Sequence, residues 1–249
     1  MLSIIGLGIN CDPTLRGIEL MKEADEIYYE TYTSPIDISK LNALSKKLGK
    51  KFVKLERRDL EEDVEKFVAR AREKKICLLV GGDPLVATTH ISILLEAEKQ
   101  KVKYEIVHNS SILSAICETG VHSYKIGRVT TIPIKEESFD PESFYEVIEE
   151  NLKRKLHSLI LLEARDETNF VSINEAIERI LKLSSERGGI IGENSLALAI
   201  SRLGYSDQII RFGRLGKLKR LKFGKPPHSL LLLSDLHFTE EEALSRFLR

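Results

Sequence analysis

The chain has 249 residues, enough for two compact cores of ordinary size. Its 38 basic and 38 acidic side chains cancel, which argues against the basic excess of a nucleic-acid binder. Three scattered cysteines, Cys11, Cys77 and Cys117, form no Cys-x-x-Cys pair, so neither a disulfide framework nor a cysteine metal site is expected and a reducing compartment fits.

No run of eighteen apolar residues occurs, so no membrane span is expected. The opening Met1-Leu-Ser-Ile-Ile-Gly6 has no basic start and no small-residue cleavage site. It reads as a strand rather than a signal peptide, and a cytoplasmic location is expected. Glutamine occurs only at Gln100 and Gln208 and tryptophan is absent, while Glu, Lys, Ile and Leu abound, a bias that resembles heat-adapted proteins.

In chain order, residues 2–8 form an apolar run ending in glycines, the pattern of a buried parallel strand. Residues 14–24 show helical spacing behind the capping sequence Asp12-Pro13-Thr14. A short strand is expected at 26–29, a helix at 38–48 closed by Gly49, and a strand at 52–55. Residues 59–73 run from acidic to basic, as a helix dipole favours. Ile76-Cys-Leu-Leu-Val80 is a buried strand stopped by Gly81-Gly-Asp-Pro84. A helix over 86–100, a strand over 104–107 and a helix over 110–119 closed by Gly120 complete the first half. Repeated β-α units of this length predict a parallel sheet with helices on both faces.

The rhythm changes between Ile132 and Pro141, where prolines bracket the charged stretch 135–140. A domain boundary is expected there, dividing the chain into an N-terminal α/β domain, 1–133, and a C-terminal α+β domain, 134–249. The second half reads as helix (142–154), strand (158–163), helix (174–185), strands at 195–203 and 208–212 joined by a turn at Gly204, strand (230–233) and closing helix (240–248). Strands this close together favour antiparallel pairing. The expected class is therefore α/β, with a parallel-sheet N-terminal domain and a mixed C-terminal one.

Two glycine loops follow predicted strands, at the sheet edge where open α/β folds bind ligands. In Gly6-Leu-Gly8 the third glycine of a dinucleotide fingerprint is missing, since position 11 is Cys11, and no phosphate-binding P-loop sequence occurs. The second loop, Gly81-Gly-Asp-Pro84, offers a carboxylate where a phosphate site would offer lysine or bare amides. That suits a cationic or hydroxylated ligand. A plain tight turn initiated by Asp83 accounts for the same residues.

These loops belong to an ordered set: Gly6-Leu-Gly-Ile-Asn10, then Gly81-Gly-Asp-Pro-Leu-Val-Ala-Thr-Thr-His90, then His108-Asn-Ser-Ser-Ile-Leu-Ser-Ala115, and far downstream Phe223-Gly-Lys-Pro-Pro-His-Ser229. The set resembles the tetrapyrrole methylase-like methyltransferases over the whole chain. The extension through Thr89-His90 and the later Pro-Pro-His narrow the resemblance to the diphthine synthase family.

The resemblance implies a two-domain tetrapyrrole methylase-like fold, usually dimeric, with S-adenosyl-L-methionine held in a cleft between the domains. It implies cofactor contacts at Ile9, Asp83, Val86, Ser111, Ile112, Leu162, Leu203 and His228. Where the family pattern would have Pro-Ser-Ile, this chain has Ser110-Ser-Ile112, keeping the Ser-Ile pair. The implied reaction is trimethylation of the amino group of a 3-amino-3-carboxypropyl-histidine on translation elongation factor 2, giving diphthine. The implied partners are that factor and a second copy of the chain, with neither nucleic acid nor membrane. Transfer of an activated methyl needs alignment rather than a metal. No catalytic residue is assigned. His90, His122 and His228 are candidates for a base by type, but a structural role suits each.

Other readings compete. A precorrin-type tetrapyrrole C-methyltransferase shares the broad motifs but not the Leu-Val-Ala-Thr-Thr-His or Pro-Pro-His sequences. A non-catalytic scaffold has no need of both glycine loops. An NAD-type oxidoreductase lacks its third glycine. The basic stretch from Arg211 to Lys225 suits either a solvated edge or an acidic partner. Glu240-Glu-Glu242 reads as dipole complementation. The tyrosines Tyr28, Tyr29 and Tyr32 suit core packing or the wall of a target cleft.

Overall fold

The computed structural model describes residues 1–137, 140–166 and 168–248. The chain divides into two compact units, Met1–Leu113 and Ser114–Arg249.

The first unit alternates β1 (Leu2–Gly6), α1 (Leu15–Glu23), β2 (Glu26–Tyr29), α2 (Ile38–Leu48), β3 (Phe52–Lys54), α3 (Arg57–Glu61), α4 (Val64–Arg70), β4 (Ile76–Val80), α5 (Ile91–Lys99), β5 (Tyr104–Val107) and the start of α6 (Ile112–Ala115). The five strands form one sheet in the order β3-β2-β4-β1-β5, and every pair is parallel. Strand side chains alternate faces. Leu2, Ile4, Leu78 and Val80 join Phe67, Val68, Ile93 and Leu94 in one core, while Ile5, Leu7, Cys77 and Leu79 join Leu20, Met21 and Leu41 in another. Both faces of the sheet are thus covered by helices, which is why β4 is apolar throughout and β1 is buried throughout, with Ser3 its one polar side chain.

Local chemistry sets the helix ends. The Thr14 side chain accepts from the Gly17 amide ahead of α1. Asp37 accepts from the amides of Ser39 and Lys40 ahead of α2, and Gly49, at φ 64°, closes that helix in the left-handed region.

The second unit carries β6 (Thr130–Ile132), α7 (Ser143–Lys153), β7 (Ser158–Leu162), α8 (Ile173–Glu186), β8 (Leu196–Ser201), β9 (Ile209–Arg214), α9 (Leu215–Leu218), β10 (His228–Leu232) and α10 (Phe238–Ser245). Its sheet has the order β6-β7-β10-β8-β9. Only β6 and β7 pair in parallel; the other neighbours are antiparallel. Phe144, Tyr145 and Ile148 of α7 and Ile173, Ile177 and Ile180 of α8 pack with Ile160, Ala197, Ala199, Leu230 and Leu232 of the sheet. The expected class, a parallel-sheet unit followed by a mixed one, is the class observed.

Several elements differ from their expected bounds. The compact units divide at 113/114, and residues 130–132, at the expected boundary, form β6 and pair with β7. Ser138 and Phe139, in the charged stretch expected to mark that boundary, lie outside the described residues. The single helix expected over 59–73 is two: the amides of Glu62 and Asp63 both donate to the Arg58 carbonyl at 2.9 Å, ending α3 before α4 begins. Helix α5 starts at Ile91, five residues after the expected 86, since Ala87 sits at φ 55° and interrupts any helix there. The helix after β5 turns into a 3₁₀ helix over Ile116–Thr119 before Gly120.

Candidate active site at the carboxyl edge of the first sheet

In the strand order of the first unit, the chain leaves β1 toward β2 on one side and leaves β4 toward β5 on the other. The carboxyl ends of β1 and β4 therefore form a topological switch point, where such sheets bind their ligands. Three loops meet there: residues 6–9 after β1, 81–86 after β4, and 108–112 after β5.

The first two loops are hydrogen-bonded to one another. The Gly8 amide donates to the Gly82 carbonyl and the Gly82 amide to the Gly8 carbonyl, both at 3.0 Å. Gly6 must be glycine for a steric reason. A Cβ there would lie 2.7 Å from the Gly82 carbonyl oxygen, 2.9 Å from Pro84 Cδ and 3.0 Å from Asn109 Cβ. Gly82, at φ 71°, must be glycine for a conformational one.

Asn109 and Asp83 bind in the third loop. Asn109 Nδ2 donates to the carbonyls of Gly6 and Asp12, each at 3.0 Å, and its Oδ1 accepts from the Ser110 amide at 2.8 Å. Asp83 Oδ1 accepts from the Leu85 amide at 3.0 Å, while Oδ2 accepts from the Asn109 amide at 3.2 Å and from His108 Nδ1 at 2.8 Å. Since a carboxylate only accepts, His108 carries its proton on Nδ1 in this contact. The turn-forming reading of Asp83 is the one these bonds display. Asp83 shapes its own turn and clamps that turn to the loop after β5.

The residues assigned from sequence fall into two groups. In the first unit, Ile9, Asp83, Val86, Ser111 and Ile112 all lie on these three loops. The Ile9 amide donates to Ser110 Oγ at 3.3 Å, and Val86 follows Asp83 in a turn closed by its own amide on the Asp83 carbonyl. Ser111 is buried and Ile112 opens α6. In the second unit, Leu162, Leu203 and His228 converge on one end of that unit's sheet. Ser229 pairs with Leu161, which sets His228 level with Leu162, and His228 pairs with Ser201, two residues before Leu203. His228 is 4% exposed, makes no hydrogen bond through either ring nitrogen among the described residues and meets Phe170 edge-on at 5.2 Å. Burial holds its pKa below 6.5, offset by the nearby backbone of Lys225, Gly224 and Phe223.

Sequence reasoning missed Asn109, although it stands inside a quoted motif. An asparagine directly after a buried strand and before a helix start is the available signal, since its amide can satisfy stranded carbonyls of neighbouring loops. Of the three histidines weighed as bases, His90 is buried with Glu30, and His122 meets Thr239 Oγ1 at 3.0 Å in the second unit.

Two other expectations are settled by side-chain geometry. Tyr28 is core, meeting Phe67 edge-on at 5.6 Å. Glu240 does more than complement a helix dipole: it is fully buried and accepts from the amides of His122 and His237, from Lys125 Nζ and from His157 Nε2. In the basic stretch, Lys219 pairs with Glu193 at 2.5 Å and Arg214 bonds Asn194 at 2.7 Å, while Lys217, Arg220 and Lys222 are exposed. Among the described residues no acidic or thiol/imidazole group is arranged to hold a metal ion, and no helix is long and apolar enough to cross a membrane.

Comparison with known proteins places this geometry in a family. Residues 1–219 match the family model of the Tetrapyrrole (Corrin/Porphyrin) Methylases. The chain is 38% identical to a diphthine synthase from Methanocaldococcus jannaschii, covering 98% of this chain and 97% of that protein. It is 37% identical to a diphthine synthase from Archaeoglobus fulgidus, covering 99% and 95% respectively. A crystal structure of diphthine synthase superposes with a TM-score of 0.87 at 35% identity, covering 99% of this chain and 95% of that one. The chain therefore belongs to the tetrapyrrole methylase family and, within it, to the diphthine synthases.

Proposed function

We propose that this chain is an S-adenosylmethionine-dependent N-methyltransferase acting on elongation factor 2. It methylates the amino group of the 3-amino-3-carboxypropyl-histidine three times, giving diphthine on the route to diphthamide. The observation that carries this reading is full-length similarity to diphthine synthases combined with a glycine-lined cradle at the switch point of the first sheet.

The residues present fit that cofactor. Loops 6–9, 81–86 and 108–112 contain no lysine or arginine. They offer carbonyls, the glycine-only packing of the loops on one another, an open Cβ position at Gly82, and the buried Asp83 carboxylate. This is a poor cradle for phosphate and a good one for a sulfonium, an ammonium and ribose hydroxyls. S-adenosylmethionine, when bound, supplies a methyl group on a sulfonium that departs as a neutral thioether. The task left to the protein is alignment and exclusion of water. Ile9, Asp83, Val86, Ser111 and Ile112 supply the first unit's share of the binding surface. Leu162, Leu203 and His228 are assigned by the family resemblance, and their convergence on one sheet end agrees with a common role. The substrate amine must be neutral before each attack. Either a base or solvent before docking takes that proton, and no side chain is assigned as the base. A cytoplasmic homodimer completes the reading.

Supply of S-adenosylmethionine labelled in its methyl group tests it. Label should appear on elongation factor 2 carrying the aminocarboxypropyl-histidine. Label on a precorrin and none on the factor would transfer the chain to the tetrapyrrole branch, which the full-length diphthine synthase relatives disfavour.

A further inference from the structure

Next to the candidate cofactor loop the first unit buries a histidine and a glutamate that no step above uses. Glu30 directly follows β2 and has no exposed surface; His90 directly precedes α5 and is 1% exposed. His90 Nε2 stands 3.7 Å from Glu30 Oε1. On its other side, His90 Nδ1 lies 3.0 Å from the Pro84 carbonyl oxygen. A carbonyl can only accept, so Nδ1 carries a proton. That bond spans loop 84–90 from end to end. It closes a turn containing Val86 and the left-handed Ala87, immediately after Asp83. Thr88 Oγ1 donates to the same Pro84 carbonyl at 2.6 Å. Glu30 is itself fixed: its Oε2 accepts from the Thr33 amide at 2.9 Å and its Oε1 from the Thr33 hydroxyl.

We infer that His90 is a positioning residue that holds loop 84–90 in its cofactor-binding shape through its Nδ1–H bond to the Pro84 carbonyl, an inference that rests on the reading of this edge as the S-adenosylmethionine site. A side chain unable to make that bond would leave the Pro84 carbonyl to Thr88 alone and release the turn that carries Val86. Nε2, 3.7 Å from Glu30 Oε1, makes no hydrogen bond among the described residues, so the Pro84 contact is the one that fixes the ring, with the buried Glu30 carboxyl packed behind it. Burial pushes the Glu30 carboxyl up, with His90 and the Thr33 contacts opposing. Two further groups lie beside the ring and the loop. Burial pushes the Tyr32 hydroxyl up to about 12, and its ring meets His90 edge-on at 6.2 Å. From α3, Glu61 is ion-paired to Arg57 at 2.7 Å and accepts from Thr89 Oγ1 at 3.0 Å.

Calorimetry of S-adenosylmethionine binding to the full chain tests this without recourse to turnover. The variants are His90→Asn, whose amide nitrogen occupies the place of Nδ1, and His90→Gln, whose amide occupies the place of Nε2. His90→Gln should bind roughly tenfold more weakly and His90→Asn within roughly threefold of the parent chain. Equal affinities for the two His90 variants would overturn the clasp. Should a His90 variant fail to fold, nuclear magnetic resonance of the parent chain decides: the ring proton of His90 is expected on Nδ1, and a ring protonated on Nε2 alone would overturn the clasp. Absence of binding by the parent chain would instead overturn the assignment of the cofactor site.

Discussion

Replacing Gly6 with alanine tests the three-loop cradle most locally. The added methyl would sit 2.7 Å from the Gly82 carbonyl oxygen, 2.9 Å from Pro84 Cδ and 3.0 Å from Asn109 Cβ. None of these is the free end of a flexible side chain. The Gly82 carbonyl also receives the Gly8 amide, so it cannot retreat without stretching the bridge between the first two loops. Overpacking of this kind costs about 1–3 kcal/mol. Part of the cost appears as lost stability and part as a displaced 81–86 loop. Urea unfolding of the ligand-free chain reads the first, and calorimetric titration with S-adenosylmethionine reads the second. A loss of affinity of roughly tenfold or more corresponds to ~1.4 kcal/mol or more of misplacement. Gly49→Ala is the matched control. Gly49 sits at φ 64° with nothing within 4 Å of its would-be Cβ, so alanine there should cost about 1 kcal/mol of stability by backbone strain and leave affinity unchanged. If Gly6→Ala binds the cofactor as tightly as the parent chain, the cradle has been placed wrongly.

Other outcomes follow from the same geometry. Asn109→Ala removes bonds to the Gly6 and Asp12 carbonyls and should destabilise by about 1–3 kcal/mol while weakening cofactor binding; calorimetry on a folded sample checks this. His108→Ala removes one of three donors to Asp83 from an exposed position and should weaken binding by less than about tenfold in the same titration. In the second unit, burial pushes the Glu240 carboxyl up, but the amides of His237 and His122, with Lys125 and His157, outweigh it and bring it to about 2. A pKa below the unfolded value means stability that is present above 4.5 and lost as pH falls toward about 2. His157 acts with the same sign. It accepts from the Ser234 amide on Nδ1 and donates from Nε2 to Glu240, the neutral form, and burial lowers its pKa below 6.5, so its contribution is lost as pH falls below that value. Urea midpoints measured from about pH 7 to about pH 3 should therefore fall in the parent chain and fall less steeply in Glu240→Gln, which starts lower. A parallel pair of curves would refute the assignment.

The parallel sheet was legible because β1 and β4 are buried on both faces, so β4 is an unbroken apolar run and β1 is one but for Ser3. The glycine loops were legible because close backbone approach leaves only glycine. What escaped was set by tertiary context. Strand β6 is three residues long, Thr-Thr-Ile, and exists through its pairing with β7. The late start of α5 depends on Ala87 taking a left-handed conformation, which alanine does not announce and which the Thr88 and His90 bonds to Pro84 accompany. The burial of Glu240 was hidden because three successive glutamates at a helix start look alike in sequence. Only the fold brings His122, Lys125 and His157 around the first of them. Among these loops, the turn at Asp83 was announced by its Gly-Gly-Asp-Pro sequence, whereas its partners His108 and Asn109 sit on a loop some twenty-five residues away. Their pairing is a consequence of β5 lying beside β1.

The central claim is a reaction, and intact mass measurement of its protein substrate tests it directly. Elongation factor 2 bearing the 3-amino-3-carboxypropyl-histidine, incubated with this chain and S-adenosylmethionine, should gain three methyl groups, and fragmentation should map all of them to that one side chain. A factor recovered without added mass, from an enzyme shown by calorimetry to bind the cofactor, would contradict the account.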